Sequence, residues 1–399
     1  MKKPLSDVLN NFTPSVTLAI SEKSNKLKDE GVKLYSFGIG EPDFAVNDEI
    51  KEAAIDAIRN DYSHYTAVNG IYELRRAICG RLKTKNGLDY LPENILCSNG
   101  AKHALSTALT ALLSRGEEVI IPAPYWVSYC EMVKVAGGVP VIVQTDFENG
   151  FLLTPEALRK AITPQTKALL LNNPSNPTGN IYSKEQLAAL AEVCLAEGIY
   201  IISDEIYDEF IYENKKHFSV AALSEEVKDI TLTINGFSKT YAMPGWRLGY
   251  TAANNEIIKA MGSIQGQCVS HPCAIAQMAG IKALTMPQGF VADMVKEYDR
   301  RRRYMMSVLD SVEGIGYVHP LGAFYIFADI NAFINKEYKG KLLSSSAVFA
   351  EILLEEANVV VIPGSGFGKE NFIRLSYACS YDDIVSGMDR LKTFLEGVK

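Results

Sequence analysis

The chain predicts an α/β fold built on a largely parallel sheet, and three observations carry that expectation. Apolar, β-branched runs of strand length alternate with stretches of helical periodicity along most of the sequence. Several of these runs stop at a cluster of polar or aromatic residues, as strands do when their carboxyl ends border a ligand crevice. At 47% hydrophobic and 22% charged over 399 residues, the composition supplies an ordinary core for roughly two to three domains.

Taken in order, the segment before Gly40 reads as peripheral. It has a helix starting at Pro14-Ser15 that contains Ala19 and Leu27, then a short strand from Val32 to Gly38. Gly38 to Asp43 follows as a loop whose glycines permit close backbone approach to a ligand, although an ordinary turn has the same signature. Ile95 to Cys97 is a short strand, Ser98 to Lys102 a tight turn, and His103 to Leu113 a helix. A strand, small residues and a helix start gather free N–H groups and the positive end of a helix dipole, which makes an anion cradle. The glycine spacing fits neither a Walker A loop nor a dinucleotide fingerprint.

The following strands share one habit. Glu118 to Ile121 leads into Pro122-Ala123-Pro124-Tyr125-Trp126, Ala168 to Leu171 into NNPSNPTG, and Ile199 to Ile202 into Ser203-Asp204-Glu205-Ile206-Tyr207. Beyond them a helix runs from about Phe290 to Val312, with Arg300 to Arg303 on its solvated face. Tyr317 to Ile330, Val359 to Ile362 and Phe372 to Tyr377 read as strands, with a helix over Ala347 to Glu356 and a flexible turn at Gly364 to Gly368.

Charge and composition exclude several functions. With 40 basic against 47 acidic residues the formal charge is -7, which argues against nucleic acid or anionic membrane as the main partner and for a small-molecule ligand. The 7 cysteines are scattered without a Cys-x-x-Cys pair, and the 5 histidines are equally dispersed, so neither a disulfide framework nor a metal centre is expected. No stretch has signal-peptide or transmembrane character, and the expected location is the cytoplasm.

Asp229 to Ala253 organises the rest. The apolar run Ile230 to Ile234 ends in Asn235-Gly236-Phe237-Ser238-Lys239, which puts a lysine at the end of a core strand among small and aromatic residues. A desolvated lysine has a lowered pKa and becomes an amine nucleophile able to form a Schiff base. Arg247, in Gly-Trp-Arg, is a permanently charged fork suited to phosphate beside that amine. Singly, plainer readings stand: Lys239 snorkelling from a strand end, Trp126 as core, Asn176 as a turn former, Asp204 as a helix cap, Tyr207 as filler. Together with Gly100, Ala101 and Lys102 they place a phosphate cradle, an aromatic face, an amide, a carboxylate, a phenol and an amine on one sheet edge. That set is the inventory of a pyridoxal-phosphate site.

The strings NNPSNPTG, SDEIYDEF, NGFSKTYAMPGWRLGY and FIRLSYA resemble the class I aminotransferases of fold type I, the aspartate aminotransferase family, in order from about Pro14 to the C-terminus. The resemblance implies a large cofactor-binding domain over 46–290, with a mostly parallel sheet of the seven-stranded type flanked by helices. Residues 1–45 and 291–399 would form a smaller α/β domain that closes over the site. Lys239 would be the Schiff-base lysine and Asp204 the partner of the pyridine nitrogen. Tyr207 would bond the ring oxygen with Asn176, and Trp126 would stack near the ring. Phosphate would be held by backbone at Gly100, Ala101 and Lys102, by Ser238 and Arg247, and by Tyr65 reaching from the other subunit of a homodimer. Arg374 would take the substrate α-carboxylate, with Gly40 closing over it. One departure is visible: many members carry a phosphate-binding serine where this chain has Gly236.

The activity so implied is ping-pong transfer of an amino group from an L-amino acid to a 2-oxo acid. For the donor's side chain, one bacterial subgroup of the family implies Lys102 and Thr17 as readers of a distal carboxylate. This favours aspartate with 2-oxoglutarate, although Lys102 is also an ordinary first-turn residue and Thr17 an ordinary cap. Prephenate, aromatic amino acids or alanine are alternative substrates, and a carbon–sulfur lyase on the same fold is an alternative reaction.

Overall fold

The structure, a computed structural model, describes residues 16–399. The expected helix start at Pro14-Ser15 and the side chain of Thr17 lie outside the described residues. The first helix spans Val16–Asp29, and β1 (Tyr35–Ser36) follows it.

β2 (Ile95–Ser98), β3 (Glu118–Ala123), β4 (Val139–Gln144), β5 (Thr166–Asn172), β6 (Tyr200–Asp204), β7 (Thr231–Gly236) and β8 (Gly249–Ala252) form one 7-stranded sheet in the order β2-β8-β7-β6-β5-β3-β4. Pairing is parallel from β4 through β3, β5 and β6 to β7, and β8 alone runs antiparallel to both of its neighbours. The molecule is therefore α/β with a mostly parallel central sheet flanked by helices, as the alternating pattern predicts. β7, TLTING, is buried at every position, which is why it reads as an unbroken apolar and β-branched run.

Two strands of this sheet escape the sequence reading for different reasons. β4 is the exposed edge of the sheet and carries Pro140, so its apolar signal is weak. β8 is four residues long and continues straight out of the Lys239–Arg247 segment.

The C-terminal part builds a second, 4-stranded sheet in the order β14-β15-β10-β9. Its strands are β9 (Gly316–Tyr317), β10 (Tyr325–Asp329), β14 (Ile362–Pro363) and β15 (Phe372–Ser376), accompanied by a hairpin of β11 (Glu337–Tyr338) and β12 (Lys341–Leu342) and by β13 (Val359–Val360). The expected strand over Tyr317 to Ile330 is broken into β9 and β10, because Leu321 and Gly322 turn aside to donate to the carbonyl of Gly179. Val359 to Ile362 is likewise divided: β13 pairs in parallel with β1, whereas β14 pairs with β15. The N-terminal segment is thus stitched to the C-terminal sheet.

The run Arg300 to Arg303 is a solvated face only at Arg300 and Arg303, which are exposed. In the helix Gly289–Leu309, Arg301 and Arg302 point inward with Met294, Tyr298, Met305 and Leu309. Arg302 is wholly buried, donating to Asp299 and Glu213 at 2.7 Å each and to the Pro320 carbonyl at 2.8 Å. Arg301 donates to Asp43 at 2.8 and 2.9 Å. A buried guanidinium persists when each N–H finds an acceptor, a condition that charge patterning along one helix does not reveal.

Candidate active site

The register of the large sheet aligns the ends of its central strands: Asn172 on β5 stands opposite Asp204 on β6, and Asp204 opposite Ile234 on β7. Just beyond these carboxyl ends lies a cavity of about 440 Å³. Its lining contains Gly40, Ala101, Lys102, Trp126, Asn176, Asp204, Tyr207, Ser238, Lys239, Arg247 and Arg374, so residues far apart in sequence share one space.

Lys239 follows β7 into this cavity, where its Nζ donates to the Gly40 carbonyl at 2.5 Å. Burial lowers its pKa to about 8 against the opposing pull of Glu41, and Arg374 adds to the lowering. Near neutral pH such an amine releases its proton far more readily than a surface lysine. Asp204, at the end of β6, is also buried, and burial raises its carboxyl to about 6. Tyr129 donates to its Oδ2 at 2.6 Å and the Ile206 amide to its Oδ1 at 3.2 Å, both favouring the charged form.

The anion cradle forms where β2 meets the helix Ala101–Leu112. Gly100 has φ +83°, and a Cβ there would come within 2.6 Å of the Arg247 Nη2. Arg247 is itself left-handed at φ 54° and is aimed by backbone carbonyls, Pro244 at 2.8 Å and Asn99 at 3.2 Å. Gly249 is needed as well, since a Cβ on it would stand 2.5 Å from the Ala101 nitrogen. The departure at Gly236 acquires a physical reason here. A Cβ at Gly236 would press to 3.1 Å on both the Leu248 carbonyl and the Gly249 Cα, so this backbone leaves no comfortable room for a serine. Ser238 lines the cavity instead.

Arg374 projects from β15 and is buried, and no carboxylate pairs with it among the described residues. It donates to Asn176 Oδ1 at 3.0 Å and to the Gly38 carbonyl at 2.9 Å, while its Nε has no partner. The rings of Tyr325 and Phe367 lie 4.4 and 5.1 Å from its Cζ, and burial lowers its pKa. Lys102 rests 4.8 Å from the Trp126 ring, with its pKa lowered by burial and then by Arg247.

Asn176 and Tyr207 both line the cavity, where Asn176 accepts from Arg374 and the Tyr207 hydroxyl meets the Tyr325 hydroxyl at 2.9 Å. Tyr65 is outside this cavity, 91% exposed and edge-on to His271 at 5.7 Å. Tyr129, Tyr325 and Phe367 were not anticipated as site residues. Tyr129 had a faint signal, three positions after Trp126, whereas Tyr325 read as part of a strand and Phe367 as part of a flexible turn.

The family profile described as "Aminotransferase class I and II" matches residues 32–391. The chain is 45% identical over 388 residues to an aspartate aminotransferase of Geobacillus stearothermophilus, covering 97% of each chain. It is 43% identical over 400 residues to a probable aspartate/prephenate aminotransferase of Aquifex aeolicus, covering 100% of both. Among solved structures, the aspartate aminotransferase from Rhizobium meliloti superposes with a TM-score of 0.97 at 38% identity, covering 100% of each chain. With a family profile spanning most of its length and full-length relatives well above 30% identity, this chain belongs to the class I and II aminotransferases.

Proposed function

We propose that this aminotransferase uses pyridoxal 5'-phosphate to move an amino group from aspartate to a 2-oxo acid, most suitably 2-oxoglutarate. The observation that carries the reading is Lys239, a buried amine with a lowered pKa that shares one cavity with the buried carboxylate Asp204 and the cation Arg247. The donor set fits the cofactor. Arg247 and the N-terminus of the helix Ala101–Leu112 suit a phosphate, and the Gly100 surface stays open only because no Cβ is present. Bound there, the cofactor supplies an aldehyde that takes up the amino group and a pyridinium ring that draws electrons from the substrate α-carbon.

The chain's own residues do the rest. Asp204, whose charged form Tyr129 and Lys239 favour against the opposing effect of burial, would pair with the protonated ring nitrogen. Lys239 Nζ would take the α-proton as general base and give it back as general acid on the far side of the amino nitrogen. Arg374 fixes the α-carboxylate through a bidentate fork whose Nε is still unpartnered. Lys102 with Thr17 reads the distal carboxylate. This fits relatives named for aspartate and also one named for aspartate and prephenate, both acidic substrates.

In the same proposal, 46–290 binds the cofactor while 1–45 and 291–399 close over it, a division supported by the β1–β13 pairing. The working form is a homodimer in which Tyr65 completes the partner's phosphate site. All 7 cysteines are free, which suits the cytoplasm. Borohydride reduction of the purified protein followed by peptide mapping tests the central assignment: the label is expected on Lys239, and a label on another lysine overturns it.

A further inference from the structure

Tyr325 has no place in the scheme above, yet it touches both halves of it. It sits on β10, next to the strand that carries Arg374, and is fully buried. Its ring face lies 4.4 Å below the Arg374 Cζ, while its hydroxyl is 2.9 Å from the hydroxyl of Tyr207. The ring also packs edge-on against that of Tyr207, with centroids 5.8 Å apart. A Cβ on Gly40 would stand 3.4 Å from the same hydroxyl, so Tyr325 lies directly beneath the loop whose carbonyl accepts from Lys239.

We propose that Tyr325 is a positioning residue that couples the carboxylate fork to the cofactor-facing phenol, its ring holding Arg374 and its hydroxyl orienting Tyr207. The inference rests on the roles proposed for Arg374 and Tyr207. Two physical reasons separate its functions. Arg374 has no anionic partner until a substrate arrives, and an aromatic face stabilises a desolvated cation without neutralising it as a carboxylate would. One hydrogen bond joins the two hydroxyls and uses one of their two protons. When Tyr325 donates it, the Tyr207 proton is left free to point into the cavity, and no other hydrogen bond of the Tyr325 hydroxyl is seen among the described residues. Ring and hydroxyl therefore serve different ligands.

Two variants separate these contributions. Tyr325→Phe keeps the ring and loses the hydroxyl, whereas Tyr325→Leu loses both. Calorimetry would follow pyridoxal phosphate binding to protein stripped of it, and succinate binding to the loaded protein. Tyr325→Phe is expected to bind succinate within about twofold of wild type and pyridoxal phosphate about tenfold more weakly, as the loss of one oriented hydrogen bond implies. Tyr325→Leu is expected to weaken both by about tenfold. A Phe variant that leaves both affinities unchanged, or weakens both alike, overturns the proposal, as does a Leu variant with normal succinate binding. If wild-type protein fails to take the cofactor on Lys239, the functional reading itself fails, which is a distinct outcome.

Discussion

At the scale of single residues, the site holds two buried charges of opposite sign that are each disfavoured until a ligand arrives. Asp204 has a carboxyl raised by burial from 3.8 to about 6, so the folded chain holds that proton more tightly than the open chain does. Its contribution to stability is fully present below pH 3.8 and is lost as pH rises through 6. Lys239 is the mirror case. Lowered from 10.5 to about 8, mainly by burial, its contribution is present above 10.5 and lost as pH falls through 8. Cofactor-free protein therefore bears both costs between about pH 6 and 8, and Asp204→Asn in that form should melt higher than wild type at pH 7, by on the order of 3 kcal/mol in stability. The gap should close towards pH 4, and the variant should bind pyridoxal phosphate more weakly. Thermal melts across pH check this, and an Asn variant less stable than wild type at pH 7 would count against a carboxylate stored for a cationic ring. Lys102 supports a second test. If its ammonium reads a distal carboxylate, Lys102→Ala should cut the half-reaction rate with aspartate about tenfold or more while sparing alanine, since a charge-assisted bond is worth about 1.5–3 kcal/mol. Equal losses with both amino acids would show that it does not read the side chain.

At the scale of elements, the helix Gly289–Leu309 carries the most consequential departure from expectation. Arg302 fills the interior with its guanidinium divided among Asp299, Glu213 and the Pro320 carbonyl, over the ring of Tyr212 at 4.9 Å. Removing the guanidinium leaves Asp299 with Arg303 and Glu213 with His319 as their remaining partners, strands the Pro320 carbonyl and opens a large hole. Arg302→Ala should cost about 3 kcal/mol in urea unfolding, and Arg302→Met distinctly less because it refills the volume. A stability change under about 0.5 kcal/mol would place the arginine among ordinary surface residues. The same helix shows where sequence is mute. Four successive arginines look like a solvated charge run, and only the packing of Glu213 and Asp43 from distant segments turns two of them inward. By contrast β5, β6 and β7 were legible because their central positions are apolar or β-branched, and their polar terminators fall at one sheet edge by register alone. Lys239, Asp204 and Asn176 stood out because polar groups at core-strand ends need a reason, whereas Arg374 was marked by the family resemblance of FIRLSYA. Tyr129 and Tyr325 did not, because a tyrosine in an apolar stretch looks like packing until its hydroxyl is seen to have a polar neighbour.

At the scale of the molecule, the chain's two ends act on one cavity. β1 pairs with β13 in parallel, Lys23 from the first helix reaches Glu351 at 2.6 Å and Glu355 at 2.5 Å, and the Arg374 side chain donates to the Gly38 carbonyl. The segment bearing Gly40 is thus carried with the C-terminal sheet, so closure over a substrate would bring Gly40 and Arg374 in together. At the phosphate cradle, Arg247 is the side-chain cation that stands beside Gly100. Tyr65 is 91% exposed, and it borders a hollow of about 670 Å³ lined by Tyr62, Met278 and Ile281 but also by Asp61, His64 and Glu73, a mixed surface that a second copy would cover. A homodimer that places Tyr65 against the partner's phosphate accounts for both features. Sedimentation at working concentration should show a dimer, and Tyr65→Phe should preserve it while weakening pyridoxal phosphate binding about tenfold, the loss of one hydrogen bond to a charged oxygen. Tyr65→Phe that binds the cofactor as tightly as wild type would make the tyrosine an interface residue only, and a fully active monomer would remove the need for a second chain altogether.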